Sequence, residues 1–106
     1  YVHAVMGFFP KTGDRMLRLV HRFLVCALIE ARSCERFKVL SQNIQDSELS
    51  QFYNRLMVSE ANHYTLFLGY ARKYGGRAPV DALWQDLLAF EAGLMAQFTD
   101  GQRIHG

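Results

Sequence analysis

The sequence is poor in the features that would place it quickly. Its longest uncharged apolar run, FLVCALI (Phe23–Ile29), falls far below the roughly 20 residues that span a bilayer, so a transmembrane helix is excluded. No basic-then-apolar leader with a small-residue cleavage site is present. Cysteine is scarce, with only Cys26 and Cys34. On one helix those two would stand two turns and about 12 Å apart, beyond disulfide reach. Reduced thiols and a cytoplasmic location are therefore expected. Alternation of period two is never sustained, which argues against a sheet, and there is no internal repeat or low-complexity segment. The net charge of +2 permits a nucleic-acid or phosphate partner without demanding one.

What is present is a globular composition, half hydrophobic and 21% charged, in a chain of 106 residues that makes one domain at most, or part of one. Phe8–Asp14 (FFPKTGD) reads as a loop leading into a helix; residues 1–7 are ambiguous. From Asp14 to about Leu40 apolar residues recur at helical spacing with neither Pro nor Gly to interrupt them. SQNIQDS supplies a polar turn, with Asp46 or Ser47 as N-cap of a second helix that runs to about Tyr74. Gly75 and Gly76 stop it in the manner of a C′ glycine. A third helix is expected from Pro79 or Asp81 through Phe98, ending at TDG, with Leu83, Leu87, Phe90 and Leu94 on its apolar side. Two helices of 26 to 28 residues joined by a short polar turn form an antiparallel αα-hairpin. The expected class is all-α: a long hairpin plus a C-terminal helix.

Three residues break this pattern. In the first long helix the stripe Met16, Val20, Phe23, Ala27 continues through position 30 to Cys34 and Phe37, and position 30 is Glu. In the second helix Leu49, Phe52, Leu56, Phe67 and Tyr70 share a face with Glu60 and His63, which are three residues apart. Glu35 falls at the edge of its stripe, where a carboxylate reaches water. Burying an unpaired carboxylate costs several kcal/mol or forces its protonation. Two mid-helix acids on adjoining helices call for a shared countercharge, and a divalent metal is the economical one. Glu oxygen with His nitrogen suits iron, manganese or zinc. A Glu from one helix and a Glu-x-x-His from its neighbour make half the ligand set of ferritin-like di-iron and di-manganese bundles. A buried ion pair or a hydrogen-bonded polar cluster is the alternative.

Other groups read as ordinary structure first. Cys26, Glu30 and Cys34 could form a thiolate site, but buried cysteines behave as small hydrophobes. Tyr64 and Tyr70 serve as core filler as readily as companions of a redox centre. Arg15, Arg18 and Arg22 share one helical face, and Arg72, Lys73 and Arg77 cluster where the second helix ends. Either group could meet phosphates, and a solvated face is the default.

ALIEARSCERF (Ala27–Phe37) followed by QFYNRLMVSEANHY (Gln51–Tyr64) resembles the MiaE family, tRNA hydroxylases that act on a methylthio-isopentenyl-adenosine beside the anticodon. The resemblance extends from about Leu19 to His105, including the closing FEAGLMAQF. It implies a ferritin-like bundle and an oxygen-dependent, non-haem di-iron monooxygenase, with Glu30, Glu60 and His63 as iron ligands. It also implies O2 as co-substrate, tRNA as substrate, an electron donor of unknown identity and no membrane partner. The family's bundle carries a further Glu and a further Glu-x-x-His on two upstream helices. Here there is no second Glu-x-x-His, and residues 1–13 contain no acid. The chain is thus expected to be the C-terminal part of such a bundle, completed by a missing N-terminal half or by a second copy. A ferritin-like iron-binding or peroxide-handling protein and a non-catalytic helical fragment are the competing readings.

Overall fold

A computed structural model describes the backbone of residues 1–105 and the side chains of residues 1–99. Four helices follow in order: α1 (Val2–Met6), α2 (Arg15–Asn43), α3 (Ser47–Gly75) and α4 (Arg77–His105). The described residues include no strand. The fold is all-α, as the helical periodicity implies.

The long helices begin on the residues best suited to start them. The Oδ1 atom of Asp14 accepts from the amides of Met16 and Leu17, and that of Asp46 from Glu48 and Leu49, all at 2.9–3.1 Å. Each cap satisfies donors that a helix N-terminus otherwise leaves unpaired. Between α2 and α3 the chain turns in three residues, Ile44–Asp46, so the helices lie antiparallel. Their contacts confirm it: Ser50 Oγ donates to the Ser41 carbonyl near the turn, Cys34 Sγ meets the Met57 carbonyl midway, and Phe23 stacks with Phe67 towards the far end.

Gly76 closes α3 and opens α4 at once. Its φ of 83° suits glycine, its amide donates to the Arg72 carbonyl, and its own carbonyl accepts from Val80. Helix α4 consequently starts at Arg77 rather than at the expected Pro79 or Asp81. Pro79 falls in the first turn, where a missing N–H is harmless. The expected stop at TDG is also corrected, since α4 continues to His105. A lone glycine costs a helix only about 1 kcal/mol, and no proline follows Gly101 to end it. Gly75 lets three helices meet, because a Cβ there would lie 2.7 Å from Val80 Cγ2 and 3.0 Å from Val20 Cγ2.

The core is built on one side of the hairpin. Val5 of α1, Val20, Leu24, Ala27 and Leu28 of α2, Leu68 and Ala71 of α3, and Val80, Trp84 and Leu87 of α4 form a single buried cluster. Phe8 packs on Phe90, and Phe9 stacks on His21 at 4.2 Å. This corrects the expected stripe of α2, whose buried line is rotated towards Leu24 and Leu28. Met16 is exposed, while Phe23, Glu30, Cys34 and Phe37 are only half-buried. The cause is that α1 and α4 both pack against the same side. The opposite flank, with Phe23 and Phe37 on α2 and Phe52, Leu56, Phe67 and Tyr70 on α3, carries no helix among the described residues, and Phe52 and Tyr70 are exposed there.

Candidate metal centre

Glu30 sits midway along α2 and Glu60 and His63 midway along α3, and the antiparallel register brings them level. One ligand atom from each of the three lies within 4.8 Å of the others. His63 Nδ1 is 3.9 Å from Glu30 Oε2. Ligands of one ion at 2.0–2.2 Å are at most about 4.4 Å apart, so a small side-chain adjustment would close the set. Two carboxylates and one imidazole are the donors that iron, manganese and zinc accept. These residues therefore fit a divalent ion. They lie on the uncovered flank: the His63 side chain is 52% exposed and that of Glu30 27%. The expectation that they point into a core is corrected to that extent, because nothing in the described residues roofs them.

Other predicted groups take ordinary roles. Glu35 is exposed and pairs with Arg32 at 2.9 Å. Both cysteines are free thiols, but the expectation that they are buried is corrected: Cys34 is half-buried against the Met57 carbonyl and Cys26 is exposed, and neither joins the carboxylate cluster. Tyr64 packs on Trp84 at 6.0 Å, on the core side.

Sequence reasoning missed Glu91, a charged residue of α4 that is only 3% exposed. Arg32 grips it with two donors, Nε at 2.7 Å from Oε2 and Nη2 on Oε1, while the Tyr1 hydroxyl donates to Oε2. Burial works to raise the Glu91 pKa, but the hydrogen bonds from Arg32 and Tyr1, with the charge of Arg32, outweigh it and hold the carboxyl below its usual value. The same contact raises Arg32. Burial and Glu91 push the Tyr1 phenol up to about 12. The signal was available: Glu91 continues the Trp84–Leu87 line by four and precedes Leu94 by three, the same intrusion into an apolar stripe that singles out Glu30.

A family model described as tRNA-(MS2IO6A)-hydroxylase (MiaE) matches residues 10–106. The chain belongs to the MiaE family. It is 39% identical over 89 residues to the tRNA 2-(methylsulfanyl)-N(6)-isopentenyladenosine(37) hydroxylase of Pseudomonas putida, a match covering 84% of this chain and 43% of the relative. A hydroxylase of the same name from Salmonella typhimurium is 44% identical over 57 residues, 54% of this chain and 21% of that protein. The chain thus spans less than half the length of these MiaE relatives. No solved structure matches it. No helix among the described residues is long and apolar enough to cross a membrane.

Proposed function

We propose that the chain is part of an oxygen-dependent, non-haem di-iron monooxygenase that hydroxylates the isopentenyl group of a hypermodified adenosine beside a tRNA anticodon. The observation carrying this reading is the convergence of Glu30, Glu60 and His63 on a flank that no helix covers among the described residues. Three ligands make half of a ferritin-like di-metal set, whose other half comes from two further helices. The length of the MiaE relatives beyond this chain supplies room for such a pair, and the exposed Phe52, about two turns from Glu60 along α3, gives it an apolar face to cover. Helices seated there would also exclude water from the site.

Iron, when bound, supplies the activation of O2. The overall conversion breaks one C–H bond of the isopentenyl group and makes C–O and O–H bonds. The second oxygen atom leaves as water, for which an electron donor supplies two electrons and the solvent two protons. In this scheme Glu30 and Glu60 offset the ion's charge, and His63 binds as the neutral imidazole. The helix backbone holds the two α3 ligands one turn apart, so their spacing needs no loop to fix it.

Nucleoside analysis of tRNA from cells lacking the gene for this chain tests the reading. Loss of the gene should leave the methylthio-isopentenyl nucleoside one oxygen short. Restoring the gene should recover hydroxylation, and restoring it with Glu60→Ala should not. Hydroxylated nucleoside that persists without the gene would refute the assignment.

A further inference from the structure

We infer that the end of the hairpin where α2 begins and α3 finishes is an RNA-backbone contact surface; the inference rests on the tRNA reading above. The positive charge of the molecule is concentrated there. Lys11, Arg15, Arg18 and Arg22 lead into and along the first turns of α2, while Lys73 and Arg77 flank the α3–α4 junction. The register of the hairpin places both groups at one end, since Phe23 packs on Tyr74 at 6.3 Å and Val20 lies beside Gly75. All six cations are exposed, and none makes an ion pair among the described residues. The acids nearby are Asp14, used as a helix cap, and Asp81, taken by Arg72 at 2.8 Å. Elsewhere the chain carries more acid than base, so the net charge of +2 conceals a strongly basic end.

Two features fit this surface to RNA rather than to another polyanion. Exposed aromatics stand among the cations: the Lys73 ammonium lies 5.7 Å from the centre of the Tyr74 ring, and Tyr70 joins Phe23 at 5.5 Å. Aromatic faces beside basic groups are what unpaired bases stack on. The position also suits the proposed chemistry. Along α2, Arg22 is eight residues from Glu30 and Arg15 fifteen, or about 12 and 22 Å at 1.5 Å per residue. A nucleotide reacting at the metal centre would have its neighbours' phosphates within reach of this end.

The test is binding of an anticodon stem-loop RNA to the chain over a series of salt concentrations. Six phosphate contacts predict a slope of log K against log salt of about −4 to −5. The variant Arg15→Gln/Arg18→Gln/Arg22→Gln should reduce the slope by about 2 to 3. The variant Arg36→Gln/Lys38→Gln/Arg55→Gln, towards the other end, should leave it unchanged. Tyr74→Ala should weaken binding about fivefold or more with the slope retained. If RNA binds but the slope drops only in the Arg36/Lys38/Arg55 variant, the surface is misplaced and the tRNA reading stands. If the unsubstituted chain binds no RNA at low salt, both fall. Equal affinity for anionic phospholipid vesicles, lost in the same Arg15/Arg18/Arg22 variant, would overturn the RNA assignment in favour of a lipid surface.

Discussion

Two carboxylates on opposite sides of α2 meet opposite fates. Glu91, reaching α2 from α4, is almost fully buried and fully matched, with a two-point grip from Arg32 and a hydroxyl from Tyr1. Glu30 is only partly buried and faces Glu60 and His63, whose Nδ1 lies 3.9 Å from its Oε2, and it makes no ion pair with a Lys or Arg among the described residues. The first arrangement is closed: its charges cancel and its lone pairs are engaged, so it holds α1 and α4 to the hairpin and has no capacity left for a ligand. The second is open and deficient in positive charge. Burial alone is thus a poor guide to a site. The unbalanced cluster, rather than the deeper one, has unused capacity to bind an ion.

Substitutions should separate the two clusters, and the largest effect belongs to the open one. Glu60→Ala or His63→Ala deletes one of the three proposed metal ligands. It should lower divalent-metal affinity by about 100-fold or more, given that even residues supporting a ligand are worth 10- to 100-fold, with little change in the melting temperature. Glu91→Gln should do the reverse. It leaves Arg32 with only the exposed Glu35 as a charged partner, which costs about 2 kcal/mol once the partial exposure of Arg32 is discounted. Chemical denaturation should show that loss while metal binding is retained. Gly75→Ala forces a methyl group against Val80 and Val20 and should destabilise by about 1 to 3 kcal/mol.

The closed cluster also sets a pH window. Glu91 is held below its ordinary value of 4.5, so its contribution is complete above that pH and declines as pH falls through the folded value. Tyr1, at about 12 against an ordinary 10.0, contributes fully below pH 10 and loses that contribution as pH rises through 12. Denaturation midpoints should therefore fall at both extremes, and Glu91→Gln should flatten the acid limb. The smallest effect is expected of Glu35→Ala, which removes an exposed pair with Arg32 and should change stability by less than about 0.5 kcal/mol.

Much of this was legible in the residues, for physical reasons. Asp14 and Asp46 announce their helices because a short side-chain acceptor at that position can satisfy amides that have no partner within the helix. Gly76 ends α3 because the turn there needs a positive φ. Glu30, Glu60 and His63 could be found because helical spacing fixes which side chains share a face. The exact face was not legible. Periodicity gives an apolar arc on α2, but which part is buried depends on where α1 and α4 dock, and they dock on the Leu24–Leu28 side. The length of α4 was misread because TDG resembles a stop, whereas one glycine without a following proline does not end a helix. Glu91 was missed although it interrupts its stripe as Glu30 does, because its partners Arg32 and Tyr1 are 59 and 90 residues away. Pairings at that separation leave no local trace.

The central claim is that Glu30, Glu60 and His63, and not the other acids of the chain, hold a divalent metal. Anaerobic titration of ferrous ion into the chain and its variants, followed by calorimetry, tests it most directly. The account predicts that the unsubstituted chain, Glu35→Ala and Glu91→Gln bind the ion alike, while Glu30→Ala, Glu60→Ala and His63→Ala each abolish the heat of binding. Loss of binding in Glu35→Ala equal to that in Glu30→Ala, or no binding by the unsubstituted chain, would contradict it.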